Sequence, residues 1–93
     1  MQVIWSPTAA AQLTEIRAYV AQDKPEAANA VARRIVAAAD RLASNPRLGR
    51  PGRHPGTREL IIAGTPYLLP YRIKRQQIRI LAVFHTAQLW PKK

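Results

Sequence analysis

Metal-free cleavage of RNA is the serious enzymatic option that the residue types of this sequence offer. That reaction needs a group to activate a 2′-hydroxyl, a group to protonate the leaving oxygen, and cations on the phosphate. His85, His54, Tyr71, Arg58, Arg72 and Arg79 are of those types. All but Arg58 also have a plainer reading. His85 closes a strand-like run, where a hydrogen-bonded structural histidine serves as well. His54 stands in a loop among Arg and Pro and reads as solvated. Tyr67 and Tyr71 alternate with Leu69 and Ile73, as core positions do, and Arg72, Lys74 and Arg79 fit the polar face of a hairpin.

Other chemistries lack their residues. With no Cys there is no disulfide, thiolate metal site or cysteine nucleophile. Two His are too few for an all-protein zinc site, and no metal or other cofactor is expected. Glu59 is the single acid after Asn45, so paired-carboxylate glycosidase and Mg²⁺-phosphoryl chemistry are unsupported. No Gly-rich turn leads into a Lys-Ser or Lys-Thr helix. Ser6 is better explained as a helix cap than as a nucleophile.

The charge points to partners rather than to fold. The 93 residues carry 15 Lys+Arg against 5 Asp+Glu, a net +10. Residues 1–45 hold five basic residues and four acids; residues 46–93 hold ten basic residues and one acid. Such a half should meet an acidic protein, a nucleic acid, or both. No apolar run approaches the roughly 20 residues that span a bilayer. Met1 to Ser6 lacks the charged and apolar regions of a secretion signal. A cytoplasmic protein with no membrane contact is expected, folded as one domain over residues 1–93.

The elements that position these residues fall in two halves. Thirteen of sixteen Ala lie between Ala9 and Ala43, and all four Gly lie at or beyond Gly49. Helices should come first and strands later. Val3-Ile4-Trp5 is a short β-prone start. Ser6-Pro7 reads as an N-cap and first helical residue. Ala9, Leu13, Ile16 and Val20 then mark one helical face, ending near Gln22. The chain restarts at Asp23-Lys24-Pro25-Glu26, either as a capping box of Asp23 and Glu26 or with Lys24 as cap and Pro25 at the first helical position. Ala28, Val31, Ile35, Ala38 or Ala39, and Leu42 stripe the second helix, an antiparallel partner of the first.

Asn45 to Thr57 reads as loop, because three Pro and three Gly in thirteen residues break helix and ladder alike. Three strands follow: Arg58–Ala63, Tyr67–Arg75 and Gln77–His85, the last two a hairpin. In the last, Ile78, Ile80, Ala82 and Phe84 alternate against Arg79, Leu81, Val83 and His85. Pro70 predicts a local irregularity, since Pro donates no ladder bond. One helix hairpin covers one sheet face only. The other needs the tail (Gln88–Lys93), the Pro-rich loop or a partner.

This order of elements resembles the RelE/ParE superfamily of type II toxin–antitoxin toxins, and within it the ParE branch. The resemblance is carried by Trp5-Ser6, Ala9, Leu13, Ile16 and Tyr19, by Pro25, Ala27, Ala28, Ile35 and Leu42, and by Pro46 and Gly49-Arg50. Arg58-Glu59-Leu60, Tyr67, Tyr71-Arg72, Ile78, Ile80, Val83, His85 and Trp90 complete it. It implies an α+β fold: an N-terminal strand, an antiparallel two-helix hairpin and a three-strand antiparallel meander, together a four-stranded sheet packed on the helices.

The resemblance implies a toxin neutralised by an acidic, partly disordered ParD-like antitoxin in a hetero-oligomer. The antitoxin would lay a helix in the hairpin groove and add a strand to the sheet. Its contacts would be Leu13, Ile16, Tyr19 and Val20 at the groove and Arg72, Lys74 and Arg79 on the sheet. ParE-like toxins are associated with poisoning DNA gyrase without cleaving a substrate, and target contacts would fall on Arg50, Arg53, Arg58 and Trp90. RelE-like relatives instead cut messenger RNA in the ribosome; here that activity would rest on His85, Arg72, Arg79 and Tyr71. Those ribonucleases commonly carry Arg one residue after the position matching Tyr67, where this chain has Leu68. They also tend to place a Tyr or a basic pair near the C-terminus, whereas this chain reads Thr86-Ala87-Gln88-Leu89-Trp90. Many ParE relatives have Arg near Gln88, a departure on that side. A third reading is a basic binding domain without toxicity.

Overall fold

The structure, a computed structural model, describes residues 1–87. In chain order they form β1 (Gln2–Trp5), α1 (Pro7–Asp23), α2 (Pro25–Arg41), β2 (Arg50–Pro51), β3 (Arg58–Ile61), β4 (Tyr67–Lys74), β5 (Gln77–Ile80) and β6 (Phe84–His85). The fold is α+β, with two helices against a mixed sheet.

Ser6 starts α1 as its sequence implies. Its extended backbone (φ −67°, ψ 156°) leaves Oγ free to accept from the Ala9 N–H at 3.0 Å, and Pro7 fills the first helical position. Of the two readings of the helix restart, Lys24 with Pro25 is the one that forms. Lys24 ends α1 by donating its N–H to the Val20 carbonyl at 2.9 Å, and it begins α2 without a side-chain cap. A one-residue joint folds the helices back on each other, tied by Arg17 Nε to Asn29 Oδ1 at 2.8 Å.

The helices contribute unequally to the core. Ala28, Ile35, Ala38 and Ala39 of α2 are buried, with Leu42 just beyond, whereas Ala9 is the one fully buried residue of α1. Leu13 and Ile16 pack partly against the core, so α1 keeps apolar surface at its rim. Tyr67, Leu69, Tyr71, Ile78 and Ile80 supply the sheet side. Each such aliphatic residue gains about 1.5–3 kcal/mol from burial.

The sheet runs β1-β5-β4-β3-β2, with β6 also on β4. β1 pairs with β5 in parallel, Val3 opposite Ile78, while β3, β4 and β5 form the antiparallel meander. Two features differ from expectation. The Pro-rich stretch is not all loop: Arg50 and Pro51 pair with Glu59 and Arg58. Proline is tolerated there because β2 is a two-residue edge strand.

The second difference is at the irregularity that Pro70 demands. Tyr71 faces Ile80, but Leu68 faces Phe84, so Leu69 and Pro70 stand opposite Leu81, Ala82 and Val83. The expected single strand Gln77–His85 is therefore split by a one-residue bulge. An inserted residue exchanges the two faces of everything after it. Val83 joins Ile78 and Ile80 in the main core, and Ala82 and Phe84 cluster with Leu68 on the far face. Alternation straight through to Phe84 is thereby corrected.

The bulge also redirects backbone bonds. Leu81 N–H donates to the Pro70 carbonyl at 2.9 Å, and Pro70 has no N–H to return. The Leu81 carbonyl accepts instead from Ser6 Oγ at 3.1 Å. Val83 N–H finds Gln12 Oε1 at 2.8 Å. Two α1-side polar groups thus complete the ladder that Pro70 interrupts.

Candidate functional site

Tyr71 belongs to the frame. It is wholly buried; its hydroxyl donates to the Pro46 carbonyl at 2.6 Å and accepts from the Gly49 N–H at 2.9 Å. Burial pushes its pKa up, against the Gly49 bond and the nearby Arg58 cation. A phenol so enclosed meets no substrate, which removes Tyr71 from the candidate ribonuclease set. Gly49 has to be glycine: a Cβ there would lie 2.6 Å from Tyr71 Cε1. Arg58 shares this task, since its guanidinium donates to the Gly49 carbonyl at 2.6 Å.

Glu59 anchors the Pro-rich segment. Its side chain is 1% exposed, and its carboxylate accepts from Arg53 N–H at 3.0 Å, Arg53 Nε at 3.3 Å and an Arg50 terminal nitrogen at 3.4 Å. Burial pushes this carboxyl up; the Arg53 backbone and side chain, with Arg50, outweigh it and hold the pKa below the usual value. Arg50 and Arg53 remain about half exposed (58% and 46%) while held there. No local motif marks this clamp in the sequence. A lone acid among ten cations was its available signal.

A second region lies between α1 and the start of β4. Glu15, Ile16, Tyr19, Tyr67 and His85 line an open cavity of about 510 Å³. Tyr19 is 70% exposed, and the His85 and Tyr67 rings meet edge to face, 5.7 Å between centroids. Burial, with the Tyr19 phenol beside it, raises the pKa of Tyr67. Leu13, Ile16 and Val20 are half-buried along the same helix. The groove is mainly apolar, with the Glu15 carboxylate, two phenols and an imidazole among its lining residues.

Arg72, Lys74 and Arg79 occupy the opposite sheet face. Tyr67, Leu69 and Tyr71 point toward the helices, so the intervening Arg72 and Lys74 point away. Arg79 lies directly across from Arg72. His85 pairs with Tyr67 and shares its side. The structure thus joins Arg72 with Arg79 and separates both from His85 by the thickness of the sheet. Leu68, 2% exposed, sits in the far-face apolar cluster. His54 lies in the exposed turn before Thr57, its carbonyl accepting from Thr57 Oγ1. Trp90 lies outside the described residues, as does the tail considered as a cover. Among the described residues no three His, Cys, Asp or Glu group as a metal site would require, and no helix is long and apolar enough to cross a membrane.

Comparison with known proteins agrees with this frame. Residues 3–90 match the family model described as ParE toxin of type II toxin-antitoxin system, parDE. The chain is 47% identical over 91 residues to "Putative toxin Y4kP" of Sinorhizobium fredii, covering 98% of this chain and 94% of that protein. It is 39% identical over 88 residues to "Toxin RelE2" of Caulobacter vibrioides, covering 95% and 98%. A chain of the solved structure "Chromosomal ParDE TA system from P. aeruginosa" superposes with a TM-score of 0.84 at 32% identity, covering 91% of this chain and 95% of that one. A match from Val3 to Trp90, with the fold to go with it, means that this chain belongs to the ParE toxin family of type II toxin–antitoxin systems.

Proposed function

We propose that this toxin arrests growth by holding DNA gyrase through protein–protein contact, and that it does not cut RNA. It acts in the cytoplasm and is silenced in a hetero-oligomer by an acidic ParD-like antitoxin. The observation that carries this reading is the dispersal of the ribonuclease set. His85 faces the helices, Arg72 and Arg79 face away, and Tyr71 is buried. No phosphate can touch all of them, and general acid–base catalysis needs its groups within hydrogen-bond reach of one reacting centre.

The antitoxin reading rests on the α1 groove. Tyr19 stands exposed beside half-buried Leu13, Ile16 and Val20, spaced to receive the apolar stripe of a helix. The net charge of +10 would speed capture of an acidic partner.

Purified gyrase with increasing toxin tests the target. Loss of supercoiling with accumulation of cleaved DNA complexes is expected, and adding antitoxin should reverse both. Primer extension on translated message tests the alternative. Codon-linked cuts abolished by His85→Ala or Arg72→Ala, with supercoiling unaffected, would replace gyrase by the ribosome.

A further inference from the structure

We propose that the far face of the β4–β5 hairpin binds the phosphate backbone of duplex DNA. Arg72 and Arg79 are directly opposed across the hairpin, an arrangement that repels unless an anion lies between or above them. Lys74 extends the row on the same face, and Arg75 stands at the tip. Among the described residues none of these four cations forms an ion pair. Glu59, the acid nearest in the sheet, is buried beneath Arg50 and Arg53, and the other four acids lie on the helices.

The turn reinforces the reading. Arg75 and Gln76 both adopt positive φ (51° and 65°), the geometry of a tight two-residue hairpin turn that glycine or asparagine fills more easily. The chain accepts a strained tip and keeps a cation on it.

The chemistry of the patch selects the partner. The exposed large apolar residues of the described chain are Met1, Tyr19, Val36, Leu48 and Ile61, so none projects from the hairpin. A protein partner would want an apolar anchor there. A single strand would want an aromatic platform for its bases, and among the described residues the exposed large aromatic, Tyr19, is on α1. Closely spaced cations on the solvent side of the sheet, with no carboxylate among them, match the evenly charged phosphate backbone of a duplex. This assigns Arg72, Lys74 and Arg79 to DNA rather than to an acidic antitoxin, and it holds whether or not gyrase is the target.

The test is fluorescence anisotropy of the full chain with a labelled 20-base-pair duplex over a salt series. Displacing counterions from four phosphates gives a slope of about −3.6 in log K against log salt. Arg72→Gln with Arg79→Gln should reduce the slope by about 2 and weaken binding at low salt, without lowering the melting temperature. Arg33→Gln with Arg47→Gln removes the same charge from exposed positions elsewhere and should leave the slope near wild type. If the first pair disturbs folding, Lys74→Gln with Arg75→Gln, both exposed, takes its place. Equal losses in patch and control variants would overturn the proposal. So would tighter binding of single-stranded DNA, or of polyglutamate, than of the duplex.

Discussion

Ser6 and Pro70 should be energetically coupled although they lie in different elements. Ser6 Oγ does two things: it accepts from the Ala9 N–H, capping α1, and donates to the Leu81 carbonyl left over by Pro70. Ser6→Ala loses both. The cap is worth about 1 kcal/mol, and the orphaned, part-buried carbonyl costs about 1 kcal/mol more. The sum of about 2 kcal/mol corresponds to roughly 8–16 °C in melting temperature for a domain of this size. Pro70→Ala restores an N–H opposite Leu81, which already donates to residue 70. In that background Ser6→Ala should cost only the cap, about 1 kcal/mol. Urea unfolding of wild type, both single variants and the double variant measures the difference. A coupling near 1 kcal/mol is expected, well outside the few tenths by which independent sites deviate from additivity. Equal costs of Ser6→Ala in the two backgrounds would show that the Leu81 carbonyl does not depend on Ser6.

Gly49→Ala should destabilise by about 1–3 kcal/mol, because its Cβ meets the buried Tyr71 ring at 2.6 Å; a thermal melt decides, and an unchanged midpoint would contradict the packing. Glu59 holds a proton more weakly folded than unfolded, so its contribution is present above the unfolded pKa of about 4.5 and is lost as pH falls through the lower folded value. Urea midpoints of wild type should therefore drop between pH 5 and pH 3, and Glu59→Gln should be less stable at pH 7 with a shallower acid decline. Tyr19→Ala should leave stability within about 0.5 kcal/mol, since the ring is 70% exposed, yet weaken binding of the cognate antitoxin roughly tenfold by calorimetry.

Local chemistry carried most of the fold. Ser6-Pro7 and Lys24-Pro25 place the helix starts within one residue, because caps act over a few bonds. Alternation placed Tyr67, Leu69 and Tyr71 on the core side, because a strand's period holds while its register does. Where register slips, the period misleads. Pro70 marks an irregularity but not that the extra residue sits on the facing strand, so straight alternation puts Ala82 and Phe84 on the wrong side. The two-residue β2 is hidden by its own Pro and the Gly on either side, and Glu59, nine and six residues on from Arg50 and Arg53, holds both of them beside it. The site divided similarly. Leu13, Ile16 and Val20 follow from helical spacing and Tyr19 from the family resemblance, while the separation of His85 from Arg72 depends on the sheet face, which the bulge decides.

The parallel pairing of β1 with β5 sets a clock on synthesis. Gln2 and Gln77 are 75 residues apart in sequence. At roughly 5–20 residues per second, the first strand waits about 4–15 s on the ribosome for its partner. The helix hairpin can form early from local contacts, but the meander, the bulge and the basic face are all made from Arg58 onward. A chain that stops before β5 therefore leaves β1 without its partner strand. Its helices then expose the apolar face that the later strands would cover, which marks such a fragment for aggregation or proteolysis.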